Sequence, residues 1–123
     1  MARIAVVIAT AGRKKEPQRL INSLSQQTRP PDQIIIVAGD DAFKPEDIPP
    51  TTSQQIFLKL TPPGLPKQRN LGASKSTADL LLFVDDDFVL DADYLRVMEL
   101  EFANNPRMVA AGGLMLGVRP RFS

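Results

Sequence analysis

Three consecutive aspartates, Asp85, Asp86 and Asp87, are the residues of this 123-residue chain best suited to chemistry. They directly follow the apolar run LLLFV at residues 80–84, which is typical of a strand buried inside a sheet. Because alternate residues of an extended chain point the same way, we expect Asp85 and Asp87 to lie ~6.5 Å apart. At that separation their charges repel by about 2.5 kcal/mol at an effective dielectric constant of about 20. A divalent cation would relieve this repulsion, so the cluster predicts a metal or phosphate site.

The cluster also has other interpretations. Aspartates at a strand-to-helix turn often cap backbone N–H groups. An apolar strand that ends in aspartate also occurs in P-loop NTPases, but the pattern GxxxxGK[ST] that they require is absent from this sequence. A phosphate-receiver domain needs an acidic pair after its first strand, where this chain has ATAGR at residues 9–13. Three aspartates together therefore favour a ligand site over a simple cap.

Composition excludes several kinds of site. The chain has no cysteine and no histidine, which rules out disulfides, thiolate or imidazole metal ligands and a Ser-His-Asp triad. A bound metal must therefore have oxygen ligands, and these favour Mg²⁺ or Mn²⁺. The 15 basic and 14 acidic residues give a net charge of +1, so we expect no nucleic-acid partner.

The elements that must position these aspartates are strands and helices in alternation. Five apolar runs predict the strands, at residues 4–9, 34–38, 56–60, 80–84 and 108–118. Amphipathic segments predict three helices, of which the first two begin near Pro17 and Pro66 and the third is capped by Asp91. Residues 42–53 contain three prolines and no apolar periodicity, and they predict a loop with at most one short turn.

This order predicts an α/β fold with a mostly parallel sheet and right-handed crossovers. The length of 123 residues predicts a single domain over residues 1–123. No apolar run approaches the ~20 residues needed to span a bilayer, and the first residues do not form a signal peptide. We therefore expect a cytoplasmic protein, either free or peripheral to the membrane.

Several segments follow one another in the order and spacing of a known family. Residues 4–13 carry the pattern TxxR at the end of a strand, residues 64–72 read GxxxxRNxG, and residues 85–87 read DxD. Residues 24–37 and 91–95 add a helix end, a second strand and the start of a later helix. Together these segments resemble the family 2 glycosyltransferases of the GT-A fold over nearly the whole chain. The resemblance implies a Rossmann-like half-fold that binds a nucleotide-diphosphate sugar across the carboxyl edge of the sheet.

The resemblance also implies roles for single residues on the nucleotide side. Thr10 and Arg13 match positions that contact the base and the ribose, and Arg69 matches an arginine that reaches the base or the diphosphate. Each has a plainer interpretation, with Thr10 capping a turn, Arg13 in a solvated basic loop and Arg69 in an exposed helical turn. After its second strand the family usually has two aspartates, but this chain has Ala38-Gly39, with Asp40 following. Either a small bulge brings Asp40 to the base, or this chain recognises the base differently.

On the metal side, the resemblance assigns Asp85 to the ribose and Asp87 to the metal, with Asp85 as a second metal ligand. Asp86 lies between them and is compatible with either role, of which we assign it nucleotide binding. A Mg²⁺ or Mn²⁺ ion at Asp87 would stabilise the negative charge that develops on the departing nucleoside diphosphate.

The chain stops after residue 123, whereas members of the family continue with an acceptor site and, in inverting enzymes, a general base. The resemblance therefore implies a donor-binding half with an unknown acceptor and weak transfer activity on its own. An unpaired apolar strand at residues 108–118 would favour self-association.

We thus predict a glycosyltransferase that binds a nucleotide-diphosphate sugar with a divalent metal. The alternative is a non-catalytic nucleotide-sugar-binding or interaction module. A nucleotidyltransferase, which shares an α/β nucleotide-binding plan, is the third and last candidate. Such an enzyme should carry a glycine-rich, basic loop after its first strand, and this loop has only one glycine, Gly12.

Overall fold

Four parallel strands form the centre of the structure, a computed structural model in which residues 3–104 are described. The strands are β1 (Ile4–Thr10), β2 (Gln33–Ala38), β3 (Gln54–Lys59) and β4 (Leu80–Asp85). They lie in the order β3-β2-β1-β4, and all three neighbouring pairs are parallel. The predicted α/β fold with a parallel sheet is confirmed. The fifth predicted strand, at residues 108–118, lies outside the described residues.

The two central strands are buried along their full length. Every residue of β1 and β2 is buried, as their continuous apolar runs predict for strands covered on both faces. Because side chains alternate along a strand, Val6 and Ile8 enter one hydrophobic cluster and Val7 and Val37 enter another on the opposite face. The sheet is therefore the middle layer of three.

Three helices supply the outer layers. The first is α1 (Lys15–Ser25), and it contributes Leu20 and Leu24 to the same cluster as the Met98 side chain of α3 (Tyr94–Asn104). The second, α2 (Leu65–Ser74), covers the other face of β1 and β2. The loop predicted between β2 and β3 is confirmed, with one 3₁₀ turn at Pro45–Asp47.

The helix α3 begins two residues later than an N-cap at Asp91 predicts. The carboxylate of Asp91 accepts a hydrogen bond from the backbone N–H of Asp93 at 3.0 Å, and the helix begins only at Tyr94. Asp91 therefore stabilises a turn that precedes the helix. The first turn of α3 is instead anchored by Gln27, whose Oε1 accepts a hydrogen bond from the Leu95 N–H at 3.0 Å.

Helix α2 lies unusually close to the sheet. A Cβ atom on Gly72 would stand 2.5 Å from Val7 Cγ1 and 3.2 Å from Val37 Cγ2. Only a glycine permits this approach, which places the first turn of α2 beside the carboxyl ends of β1 and β2. Among the described residues, no helix is both long and apolar enough to cross a membrane.

Candidate functional site

A cavity of about 500 Å³ opens at the carboxyl edge of the sheet, beside the first turn of α2. In open α/β sheets this edge is where ligands bind. Three groups of residues line the cavity: Ala9, Thr10, Ala11 and Arg13 after β1, Pro63, Gly64, Leu65, Gln68 and Arg69 at α2, and Asp85, Asp86 and Asp87 at the end of β4. All of the residues predicted for the site except Asp40 therefore come together here.

Asp85 is engaged by an arginine from α2. It is the last residue of β4 and lies next to Ala9 in the sheet. Arg69 Nη2 donates a hydrogen bond to Asp85 Oδ1 at 2.7 Å, and the two side chains are 37% and 39% exposed. Ion pairs this exposed contribute about 0–1 kcal/mol to stability, so a ligand that offers either partner a better contact can open the pair.

Asp86 connects the loop after β4 to the end of β1. Its Oδ2 accepts a hydrogen bond from Thr10 Oγ1 at 2.7 Å, and its Oδ1 accepts one from Arg13 Nη1 at 3.1 Å. Burial raises the pKa of the Asp86 carboxyl, although the Thr10 hydroxyl and the Arg13 guanidinium act in the opposite direction. Both carboxylate oxygens are thus used to position Thr10 and Arg13.

Asp87 is the most accessible carboxylate of the three. Its side chain is 51% exposed, and its Oδ2 lies 3.5 Å from Arg13 Nη1. Arg13 contacts both Asp86 and Asp87. It directly follows Gly12, whose φ of 71° lies in the left-handed region that favours glycine.

The three aspartates do not form a ready-made metal cage. Within residues 3–104, no group of three acidic side chains is placed to hold a metal ion. Mg²⁺ in proteins is usually bound through one or two carboxylates together with substrate phosphates. The hard oxygen ligands of Asp87 and Asp85, both on the cavity wall, fit a metal that is shared in this way with a diphosphate.

Asp40 lies outside this cavity. Its Oδ1 accepts a hydrogen bond from the backbone N–H of Ala42 at 3.0 Å, which closes a turn after β2. A Cβ atom on Gly39 would stand 2.7 Å from Pro63 Cβ, so the position that aligns with the second of the two expected aspartates has no room for a side chain. The contact of Asp40 with a base stays a prediction.

Sequence reasoning assigned no role to six residues of the cavity wall: Ala9, Ala11, Pro63, Gly64, Leu65 and Gln68. Leu65 is 50% exposed, although it is apolar and lines the cavity. Gln68 is only 1% exposed, although its sequence neighbours Lys67 and Arg69 suggest a polar helix surface. Gln68 packs beside Gly39, where a Cβ atom would stand 3.1 Å from its Oε1, and no local pattern around Gln68 indicates this contact.

Comparison with known proteins identifies the family of this chain. The family described as "Glycosyl transferase family 2" matches residues 5–118. An uncharacterized glycosyltransferase of Haemophilus influenzae is 33% identical over 87 residues, which is 68% of this chain and 29% of that protein. A glucosyl-dolichyl phosphate glucuronosyltransferase of Haloferax volcanii is 24% identical over 120 residues, 93% of this chain and 38% of its own length. The chain thus spans about a third of each relative.

Solved structures show the same fold. The crystal structure of residues 1–349 of Staphylococcus aureus TarS matches 94% of this chain with a TM-score of 0.71 at 17% identity, and the chain covers 38% of it. A crystal structure of the same TarS fragment in complex with UDP matches equally well, with a TM-score of 0.71. The predicted Rossmann-like arrangement of the GT-A type is therefore confirmed.

Proposed function

This chain belongs to glycosyl transferase family 2, and we propose that its cavity binds a nucleotide-diphosphate sugar together with a divalent metal ion for glycosyl transfer. The observation that carries the proposal is the convergence of Arg13, Arg69 and three aspartates on one cavity at the carboxyl edge of a parallel sheet. Two guanidinium groups suit the anionic diphosphate, and carboxylates suit the hydroxyls of a ribose or a hard cation.

The arginines are the groups that receive the diphosphate. Arg69 is paired with Asp85, and Arg13 is paired with Asp86 and Asp87, all through partly exposed contacts. A diphosphate offers each guanidinium a charge-assisted, bidentate partner of higher charge than one carboxylate. The first turn of α2, which borders the cavity, adds the partial positive charge of a helix N-terminus. We expect the arginines to turn toward the phosphates when the donor binds.

The aspartates released by the arginines are the groups that receive the metal. Asp87 is the principal ligand and Asp85 the second, because both line the cavity and Asp86 is occupied by Thr10 and Arg13. The metal, when bound, neutralises negative charge on the departing nucleoside diphosphate. Asp86 keeps its hydrogen bond to the Thr10 hydroxyl while Asp85 and Asp87 change partners.

The relatives support the choice of ligand. The TarS fragment was crystallised with UDP, and both curated relatives are named as glycosyltransferases. We therefore take UDP as the first nucleotide to test. The same binding experiment with other nucleoside diphosphates and nucleotide-diphosphate sugars tests which donor this chain prefers.

The test is titration calorimetry of UDP, with and without Mn²⁺, on the wild type and on Asp87→Ala. We expect UDP to bind the wild type more tightly with Mn²⁺, and the Asp87→Ala substitution to weaken this metal-dependent binding at least about tenfold. Asp91→Ala is the matched control, because Asp91 is four residues away and does not line the cavity. If neither UDP nor any other nucleoside diphosphate binds the wild type, with or without metal, the proposal is wrong.

A further inference from the structure

We propose that Gln68 is a positioning residue that holds the walls of the cavity at the separation required by the donor, an inference that rests on the proposed function. Gln68 lies in the first half of α2, lines the cavity and is 1% exposed. It precedes Arg69 directly in the sequence, so its position fixes where the arginine side chain starts.

The side-chain amide of Gln68 connects three segments of the chain. Its Nε2 donates hydrogen bonds to the carbonyl oxygens of Val37 at 2.8 Å and Thr10 at 3.1 Å. Its Oε1 accepts a hydrogen bond from the backbone N–H of Gly64 at 2.9 Å. One amide thus joins the carboxyl ends of β1 and β2 to the residue that precedes α2.

These contacts determine which way the amide faces. With the amide reversed, its oxygen would face two carbonyl oxygens and its NH₂ group would face the N–H of Gly64. The surrounding space is also tight, because a Cβ atom on Gly39 would stand 3.1 Å from Gln68 Oε1 and 2.7 Å from Pro63 Cβ. The amide therefore has one arrangement that satisfies all its partners.

The consequence concerns two residues that the proposed function places on the nucleotide. The carbonyl of Thr10 is held by Gln68, and the Thr10 hydroxyl faces Asp86. Arg69, next to Gln68, faces Asp85. Gln68 thereby fixes the position of Thr10, at the end of β1, relative to Arg69, on α2, before any ligand binds. Such preorganisation lowers the entropic cost of binding.

The experiment compares Gln68→Met with Gln33→Met. Methionine has a shape similar to that of glutamine but makes none of these hydrogen bonds. Gln33 is a matched control, because it is also 1% exposed and hydrogen-bonded through both amide atoms, to Gln54 and Thr77, yet it lies at the amino end of β2. Both variants should lower the melting temperature. Only Gln68→Met should weaken UDP binding in the presence of Mn²⁺, by about tenfold, at a temperature where both variants are folded.

Each result has a distinct meaning. If the wild type binds UDP and folded Gln68→Met binds it within about twofold of Gln33→Met, the positioning role is wrong while the proposed function stands. If the wild type does not bind any nucleoside diphosphate, the proposed function itself is wrong.

A second measurement needs neither a variant nor a ligand. Hydrogen–deuterium exchange of the free wild type should show a slowly exchanging Gly64 amide, because Gln68 already holds it. Fast exchange at Gly64 in the free protein would overturn the inference, even if Gln68→Met fails to fold.

Discussion

At the scale of single residues, the three consecutive aspartates have three different environments. Asp85 pairs with Arg69, Asp86 holds Thr10 and Arg13, and Asp87 is half exposed. The cluster itself was predictable from the sequence, because three carboxylates after a buried strand are unusual. Their partners were not predictable from local pattern, since Thr10 lies 76 residues before Asp86 and reaches it only through the pairing of β1 with β4.

The contact between Arg13 and Asp87 predicts how strongly the free protein binds a cation. Its guanidinium lies 3.5 Å from Asp87 Oδ2, so it competes with a cation for that carboxylate. Arg13→Ala should therefore strengthen binding of Mn²⁺ to the free protein about fivefold, the equivalent of about 1 kcal/mol for an exposed pair. Electron paramagnetic resonance of free Mn²⁺ measures this directly. Arg96→Ala is the control, because Arg96 pairs with Asp93 outside the cavity. Unchanged or weaker Mn²⁺ binding by Arg13→Ala would contradict the assigned competition.

At the scale of elements, continuous apolar runs predicted all four described strands to within two residues at each end. This success follows from the burial of β1 and β2 on both faces, which leaves a strong pattern in the sequence. The depth at which α2 packs was not predictable, because it depends on Gly72 facing Val7 across elements distant in the sequence. The burial of Gln68 follows from the same contact between α2 and the sheet, and it was missed for the same reason.

Gly72 provides a test of that packing. A methyl group there would stand 2.5 Å from Val7 Cγ1, so α2 has to move away from the sheet to accommodate it. Gly72→Ala should lower the free energy of unfolding by about 1–3 kcal/mol through overpacking, even though alanine favours a helix by about 1 kcal/mol over glycine. Urea unfolding provides the measurement. Ser74→Ala, at an exposed position of the same helix, should change stability by no more than about 0.5 kcal/mol. A stabilised Gly72→Ala variant would show that the helix does not pack this closely.

Helix α3 gives a prediction about pH. Burial raises the pKa of Tyr94 from 10.0 to about 12 in the folded protein. The folded state therefore favours the neutral phenol, and this contribution to stability is complete below pH 10.0 and is lost as the pH rises toward about 12. The wild type should lose stability relative to Tyr94→Phe across this range, as measured by urea unfolding of both proteins at several pH values. A difference between them that does not change with pH would argue against burial of the phenol.

At the scale of the whole molecule, the location of the site follows from topology. Parallel strands bring their carboxyl ends to one edge, so residues that follow β1 and β4 meet there whatever their separation in the sequence. The resemblance to family 2 glycosyltransferases predicted the same edge and the same residues, with Asp40 as the exception. Steric exclusion at Gly39 accounts for the absence of the second of the two aspartates that the resemblance leads us to expect, and the role of Asp40 stays a prediction.

Amide-resolved NMR of the wild type, during a titration with UDP and a trace of Mn²⁺, tests directly whether the donor and its metal bind in this cavity. We predict that UDP shifts the amide signals of residues 9–13, 63–69 and 85–87, and that Mn²⁺ broadens the signals of residues 85–87 first. Signals from the amino ends of the strands, at the opposite edge of the sheet, should stay unchanged. Shifts confined to that opposite edge, or Mn²⁺ broadening that avoids Asp87, would contradict the placement of the donor and its metal in this cavity.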